Sequence, residues 1–245
     1  MLFDIVTCLG PNDVDKIELM INHTKKNIMG YRNIYIISYD NTIEIPGCIT
    51  IDENIFPFTK TQIEPHLHIN CKDRAGWYFQ QLLKLYAVFV IDGILDNILI
   101  IDFDTFFYKP TTFFEGNVPL FSYGNEYNEK YFLHMNKLHP SLKKQDMQKS
   151  GICHHMIMQK CVLTNLFSMV ETYHDKLFYE VFIEYIDGDH GSNASEYEIY
   201  FNFMLMNANQ ISFKLRKLNF INDSMKNYLE EIHPFLDYVS YHHYL

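Results

Sequence analysis

Three pairs of aspartates stand one residue apart in this chain, Asp13 and Asp15, Asp102 and Asp104, and Asp187 and Asp189, and in each pair two carboxylates can share a task. The pattern is cheap, since sixteen aspartates in 245 positions give about one such pair by chance. Context has to choose among the three. Asp13 and Asp15 open a predicted helix over 15–27, where carboxylates meet the helix dipole favourably and Asn12 or Asp13 can cap. Asp187 and Asp189 flank a glycine in DGDHGSNAS, where Asp-Gly is expected on backbone grounds alone. LIIDFDTFFYKP (99–110) differs, because a β-branched run leads in and aromatics follow, so neither a cap nor a turn accounts for Asp102 and Asp104. On an extended chain residues two apart point the same way, which puts both carboxylates on one face and Phe103 on the other. Like charges that close and partly desolvated call for a cation between them. A hard divalent ion, Mn²⁺ or Mg²⁺, sharing its sphere with water and phosphate oxygens, is the simplest resolution.

If that ion bridges a diphosphate, further cationic and hydrogen-bonding groups belong at the same mouth. CKDRAGWYFQQLLKLYA (71–87) offers them. Trp77, Gln80, Gln81 and Lys84 fall at i, i+3, i+4 and i+7, one polar stripe of a helix, opposite a buried side of Phe79, Leu82, Leu83 and Tyr86. The bland reading is an ordinary solvated face. Arg74, suited to bidentate phosphate contact, and Lys84, one helix upstream of the aspartates, favour a ligand.

The elements that must position these groups follow from periodicity. Strands are expected over 2–9, 33–40, 48–52 and 97–102, with helices over 15–27 and 77–91 between them. Alternation of this kind makes an α/β fold with an open, mainly parallel central sheet flanked by helices, and such sheets bind ligands beyond the carboxyl ends of their strands. Later come a strand over 119–123, a helix over 126–138, a polar loop over 139–151, a strand over 154–159, one or two helices over 164–186 and a helix from Ser195. Adjacent His154 and His155 should face opposite ways on their strand, one buried and one at the site. Ser195 and Glu198 resemble a capping box, which leaves Glu196 the freer carboxylate to meet an acceptor hydroxyl, with Asp189 the second candidate. Cys153 beside the two histidines has no companion ligands at zinc spacing, so structural zinc is rejected.

Composition narrows the partners. With 48% hydrophobic residues, 245 residues suffice for one sizeable core. A formal charge of −10 with only three arginines, Arg32, Arg74 and Arg216, argues against nucleic acid. Five cysteines with no C-x-x-C, no signal-like segment and no apolar run of membrane-spanning length predict reduced thiols, no membrane span and a cytoplasmic location.

The order R-x-G-W-Y-x-Q-Q-L-L-K-L from Arg74, I-I-D-F-D-T from Ile100, S-G-I-C-H-H-M-I-M from Ser150 and S-E-Y-E-I-Y-F-N from Ser195 resembles a family of GT-A-fold, D-x-D-containing nucleotide-sugar glycosyltransferases. That family is found in bacteria and large DNA viruses and includes a viral capsid-glycan enzyme. The resemblance spans nearly the whole chain. It implies a single GT-A domain over 1–245, with 1–110 as the nucleotide-binding half and 111–245 as the acceptor-side half. It also implies transfer from a nucleotide-sugar donor, UDP-linked by preference, to a glycan or glycoprotein acceptor. Asp104 would ligate the metal, Asp102 would contact the metal and the donor ribose, and a late histidine, His242 or His243, would complete the sphere. Thr7 and Gly10 would floor the nucleotide pocket, Asp52 would lie near the base, and Lys84 would contact the donor. Gln81 and His154 are further donor-side candidates, and His155 is a catalytic one.

Two rivals stand beside this reading. A haloacid-dehalogenase-type phosphatase also ends an apolar strand in D-x-D, but Phe106 stands where it expects threonine or valine, and GDHGSN (188–193) ends in Asn193 where it needs an acid. An inactive nucleotide-sugar-binding module would bind UDP without transfer.

Overall fold

The computed structural model describes residues 1–188, 190–228 and 235–242. β1 (Phe3–Leu9), whose FDIVTCL run is apolar enough to be buried at every position, is followed by α1 (Ile17–Asn27), β2 (Ile28–Met29), β3 (Tyr31–Ser38) and β4 (Ile49–Asp52). After the single turn of α2 (Lys60–Ile63), α3 (Ala75–Val90) feeds β5 (Asn97–Ile101), and a turn leads into β6 (Thr105–Phe107). Then come β7 (Thr111–Thr112), β8 (Phe114–Glu115), β9 (Val118–Ser122), α4 (Glu129–Leu138), β10 (His155–Gln159), α5 (Lys160–His174) and α6 (Phe178–Glu184). The described chain closes with α7 (Glu196–Met206), β11 (Lys214–Arg216), β12 (Phe220–Ser224) and β13 (Tyr238–His242).

This is an α/β fold. The central sheet has the order β10-β5-β1-β3-β4, in which β5, β1, β3 and β4 run parallel and only β10 is antiparallel. Four parallel strands bring their carboxyl ends to one edge, so the residues after Leu9, Ser38, Asp52 and Ile101 open onto the same side of the molecule. The opposite edge is closed electrostatically, because the buried Asp4 carboxylate accepts from Arg32 at 3.0 and 2.6 Å and from the backbone N–H groups of Asn33 and Leu95. A second sheet, β12-β13-β6, starts where the central one stops. Helices and sheets share one hydrophobic core.

Several local expectations change in the fold. The helix after β1 begins at Ile17, behind a 3-10 turn over Val14–Lys16, and Asp13 makes no side-chain capping bond but pairs with Lys16 at 3.3 Å. The region 164–186 is two helices because Asp175 turns the chain out of the first with φ 54°. Asp102 and Asp104 do not sit on an extended strand. The Thr105 N–H bonds back to the Asp102 carbonyl at 3.0 Å, turning the chain so that β6 enters the second sheet. The polar stripe of α3 is not a solvated face either, since Gln81 and Lys84 are buried. Among the described residues no helix is long and apolar enough to cross a membrane, and none of the five cysteines forms a disulfide.

Candidate functional site

Beyond the carboxyl end of β5 lies a cleft of about 700 Å³. Its described lining includes Asp13 after β1, Arg74, Trp77, Gln80 and Lys84 from α3 and the turn before it, Asp102 and Asp104 after β5, His154 before β10, Glu196 and Tyr197 at the start of α7, and His242 on β13. Five carboxylates, those of Asp13, Asp102, Asp104, Glu126 and Glu196, thus meet two fixed cations, Arg74 and Lys84.

Lys84 is the hub. Its ammonium donates to Asp102 Oδ1 at 2.5 Å and to Glu196 Oε1 at 2.7 Å, and it lies 4.9 Å from the centre of the Tyr197 ring. Burial works against its charge, but the two carboxylates win and hold its pKa raised. Asp102 also accepts from the Tyr197 hydroxyl at 2.6 Å and sits 3.3 Å from His154 Nδ1. Burial opposes ionisation of Asp102, but Lys84 and His154 overcome it and keep its pKa depressed. Burial raises the Glu196 pKa, with Lys84 pulling the other way. Gln81 never reaches the cleft. It accepts from the Glu196 backbone N–H at 3.0 Å and donates to the Ala194 carbonyl at 3.3 Å, fixing the N-terminus of α7 over α3.

Asp104 faces His242, whose Nδ1 is 2.9 Å from Asp104 Oδ2, and the Tyr241 N–H bonds to the Asp104 carbonyl at 2.8 Å. The His154 and His242 rings are 4.8 Å apart. His154 holds φ 59°, a left-handed conformation unusual for a residue other than glycine. Burial opposes its protonation, but the bond to Asp102 leaves its pKa raised.

Asp104 Oδ1 and His154 Nε2 are buried without a hydrogen-bond partner in the described structure. Buried polar atoms are normally satisfied, so a carboxylate oxygen and an imidazole nitrogen left open at one mouth suit a divalent ion with oxygen and nitrogen ligands. Among the described residues no three His, Cys, Asp or Glu side chains already converge as a cage. The His–carboxylate bonds hold them in pairs, which metal loading would have to exchange.

The remaining sequence candidates fall elsewhere. His155 is buried among Phe107, Phe113 and Tyr238, bonds Ser122 at 3.0 Å, and has its pKa driven down to about 3 chiefly by burial, so it is a neutral core histidine and does not line the cleft. Thr7 is buried within β1 and does not line the cleft. Gly10 shapes the turn after β1, where its carbonyl accepts the Asp13 N–H at 3.1 Å. Asp52 accepts from the Asn54 N–H at 2.8 Å and lines a separate hollow with Tyr39 and Asp40. Asp189 and His243 lie outside the described residues. Glu198 is no capping-box partner, since its buried carboxylate accepts from Lys144, Ser150, the Gly151 N–H and Asn202 instead. Sequence reasoning gave Asp13 a helix-start role and missed Glu126, and both line the cleft from loops.

No family model and no curated protein matches this sequence.

Proposed function

We propose that this chain is a metal-dependent glycosyltransferase of the GT-A kind, moving a sugar from a nucleoside-diphosphate donor, UDP-linked by preference, to an acceptor hydroxyl. The observation that carries the reading is the mouth itself. At the carboxyl edge of a parallel sheet Asp104 Oδ1 and His154 Nε2 stay open beside Asp102, in a cleft with more carboxylates than cations. A diphosphate enters such a cleft only with a cation to offset the repulsion.

Asp104, through its open Oδ1, with Asp102 and the imidazoles of His154 and His242 beside it, would hold Mn²⁺ or Mg²⁺. When bound, the ion supplies Lewis-acid neutralisation of the leaving diphosphate. Lys84 bonds both Asp102 and Glu196 and holds them in place. Arg74, braced 4.5 Å over the Trp77 ring, meets the remaining phosphate charge. In transfer, the acceptor oxygen bonds the anomeric carbon as that carbon's bond to the diphosphate oxygen breaks, and the electron pair leaves with the diphosphate. The hydroxyl proton passes to a carboxylate at the mouth, for which Glu196, its basicity raised by burial, is the first candidate.

The test follows nucleotide release from UDP-, GDP- and dTDP-sugars with and without Mn²⁺. Metal-dependent release from one donor, abolished by Asp104→Asn, is expected. Turnover of an aryl phosphate through a phospho-aspartate would replace this reading with the phosphatase one, and UDP binding without any release would leave a binding module.

A further inference from the structure

One buried carboxylate plays no part in the diphosphate and transfer chemistry described above. Glu198, fully buried on α7, has both of its oxygens filled. Oε1 accepts from the Ser150 hydroxyl at 2.5 Å, the Gly151 N–H at 3.2 Å and Lys144 Nζ at 3.2 Å, and Oε2 accepts from Lys144 at 3.0 Å and the Asn202 amide at 2.6 Å. The Lys144 side chain is itself only 6% exposed and lies 4.9 Å over the Phe132 ring, and the next residue, Gln145, donates its N–H to the Asn202 side chain at 2.9 Å. The Ser150 hydroxyl accepts in turn from the Ile152 N–H at 3.1 Å, and Ser150 pairs through both backbone groups with Gly124 at 2.9 and 3.0 Å. Two stretches far apart in the chain, 144–152 and 198–202, are thereby cinched together immediately ahead of His154.

We infer that Glu198, with Lys144, is a positioning residue for the candidate metal site: it seats the turn over 150–153 so that His154 presents its open nitrogen to the ion. The inference rests on the metal-dependent reading above and goes beyond it by naming what aims a ligand. His154 holds φ 59°, a conformation that persists only where its surroundings over-determine it. Ahead of it Glu198 holds Ser150 and Gly151, and beyond it the His154 carbonyl accepts the Asp102 N–H at 2.9 Å. Between those two clamps the ring meets Asp102 Oδ2 at 3.3 Å through Nδ1, which leaves Nε2 buried without a partner in the described structure. An ion pair is a poor way to gain stability here, because desolvating two charges offsets most of their attraction and apolar residues of the same size would serve as well. What one carboxylate bonded to two consecutive residues of a turn does provide is register and direction, and such outer contacts are what hold metal affinity. The competing role is a plain staple that ties the 139–151 loop to α7 and leaves the mouth indifferent.

The experiment titrates Mn²⁺ into the full-length protein, at a temperature where circular dichroism shows each variant folded. It follows the electron paramagnetic resonance signal of the free ion and the imidazole nitrogen coupling of the bound one. Glu198→Ala with Lys144→Met removes the clamp without stranding a charge, and Ser150→Ala cuts only its hydroxyl arm. Both are expected to raise the Mn²⁺ Kd, the first at least about tenfold, and to diminish the nitrogen coupling. Glu198→Gln with Lys144→Met keeps an acceptor for Ser150 and Gly151 and should restore a Kd near the wild-type value. Val170→Ala, a core truncation in α5, should lower the Tm without moving the Kd. A Kd unchanged in Ser150→Ala, which decides alone if the Glu198→Ala pair does not fold, would overturn the assignment. So would a Kd that tracks the Tm across all variants, Val170→Ala included. No Mn²⁺ bound by the wild type would instead bring down the metal-site reading on which the assignment stands.

Discussion

At the scale of single residues, Lys84 decides most. It is a buried cation in the lining of the mouth, and it touches both Asp102 and Glu196. Removing one partner of a buried ion pair strands the other charge, which typically costs about 3–5 kcal/mol. Lys84→Met should therefore lower the urea midpoint strongly. Adding Glu196→Gln should recover part of that loss, because one stranded carboxylate disappears, while donor turnover stays abolished. Full recovery of turnover in the double variant would show that Lys84 only balances charge. Asp102→Asn tests the other side of the same pair. It keeps the shape but loses the charge that Lys84, Tyr197 and His154 all address, so metal-dependent UDP binding should vanish.

At the scale of elements, the mouth depends on how α7 is seated. Gly151 lies against it so closely that an added Cβ would stand 2.5 Å from Phe201 Cβ and 2.7 Å from the Tyr197 carbonyl. Backbone and a packed ring cannot both withdraw, so Gly151→Ala should cost about 1–3 kcal/mol and, by displacing the turn that carries Glu196 and Tyr197, weaken UDP binding as well. Thermal melts with and without nucleotide read both effects. The packing of α4 on α6 gives a pH prediction. His134 is buried on α4, contacts the Phe182 carbonyl through Nε2 at 2.9 Å, and has its pKa lowered to about 4, chiefly by burial. Its folded pKa lies below the unfolded value, so between pH 6.5 and 4 the unfolded chain binds more protons and stability falls as pH falls. The contribution is complete above pH 6.5 and is on the order of 3 kcal/mol over the window. Urea midpoints across that range should slope downward towards acid, and His134→Gln should flatten the slope.

At the scale of the whole molecule, charge and topology act together. A chain of formal charge −10 gathers five carboxylates at its cleft, so nucleotide and cation should bind as a unit. UDP at a hundred times its Kd should stabilise by about 2.7 kcal/mol, a rise in Tm of roughly 5–10 °C for a chain of this size, and only with Mn²⁺ or Mg²⁺ present. An equal shift with UDP in the presence of EDTA would remove the metal from the site.

What the sequence determined by itself is what repeats within a short window. Alternating apolar periods placed β1, β3, β4 and β5 and the helices between them, and a β-branched run leading into Asp102 and Asp104 marked the carboxyl edge of the sheet where the cleft opens, because strand and helix periods are set by local backbone geometry. Ser195 as the cap of α7 was legible for the same reason, its hydroxyl accepting the Glu198 N–H three residues on at 3.3 Å. Tertiary structure alone decided the companions. His242 reaches Asp104 across 138 residues, Glu196 reaches Lys84 across 112, and Asp13 and Glu126 arrive from loops. That one of His154 and His155 is buried and the other at the mouth was expected from their adjacency, and packing decided that His155 is the buried one. Strand order and the turn after Asp102 set these meetings, and they depend on which surfaces bury together over the whole chain.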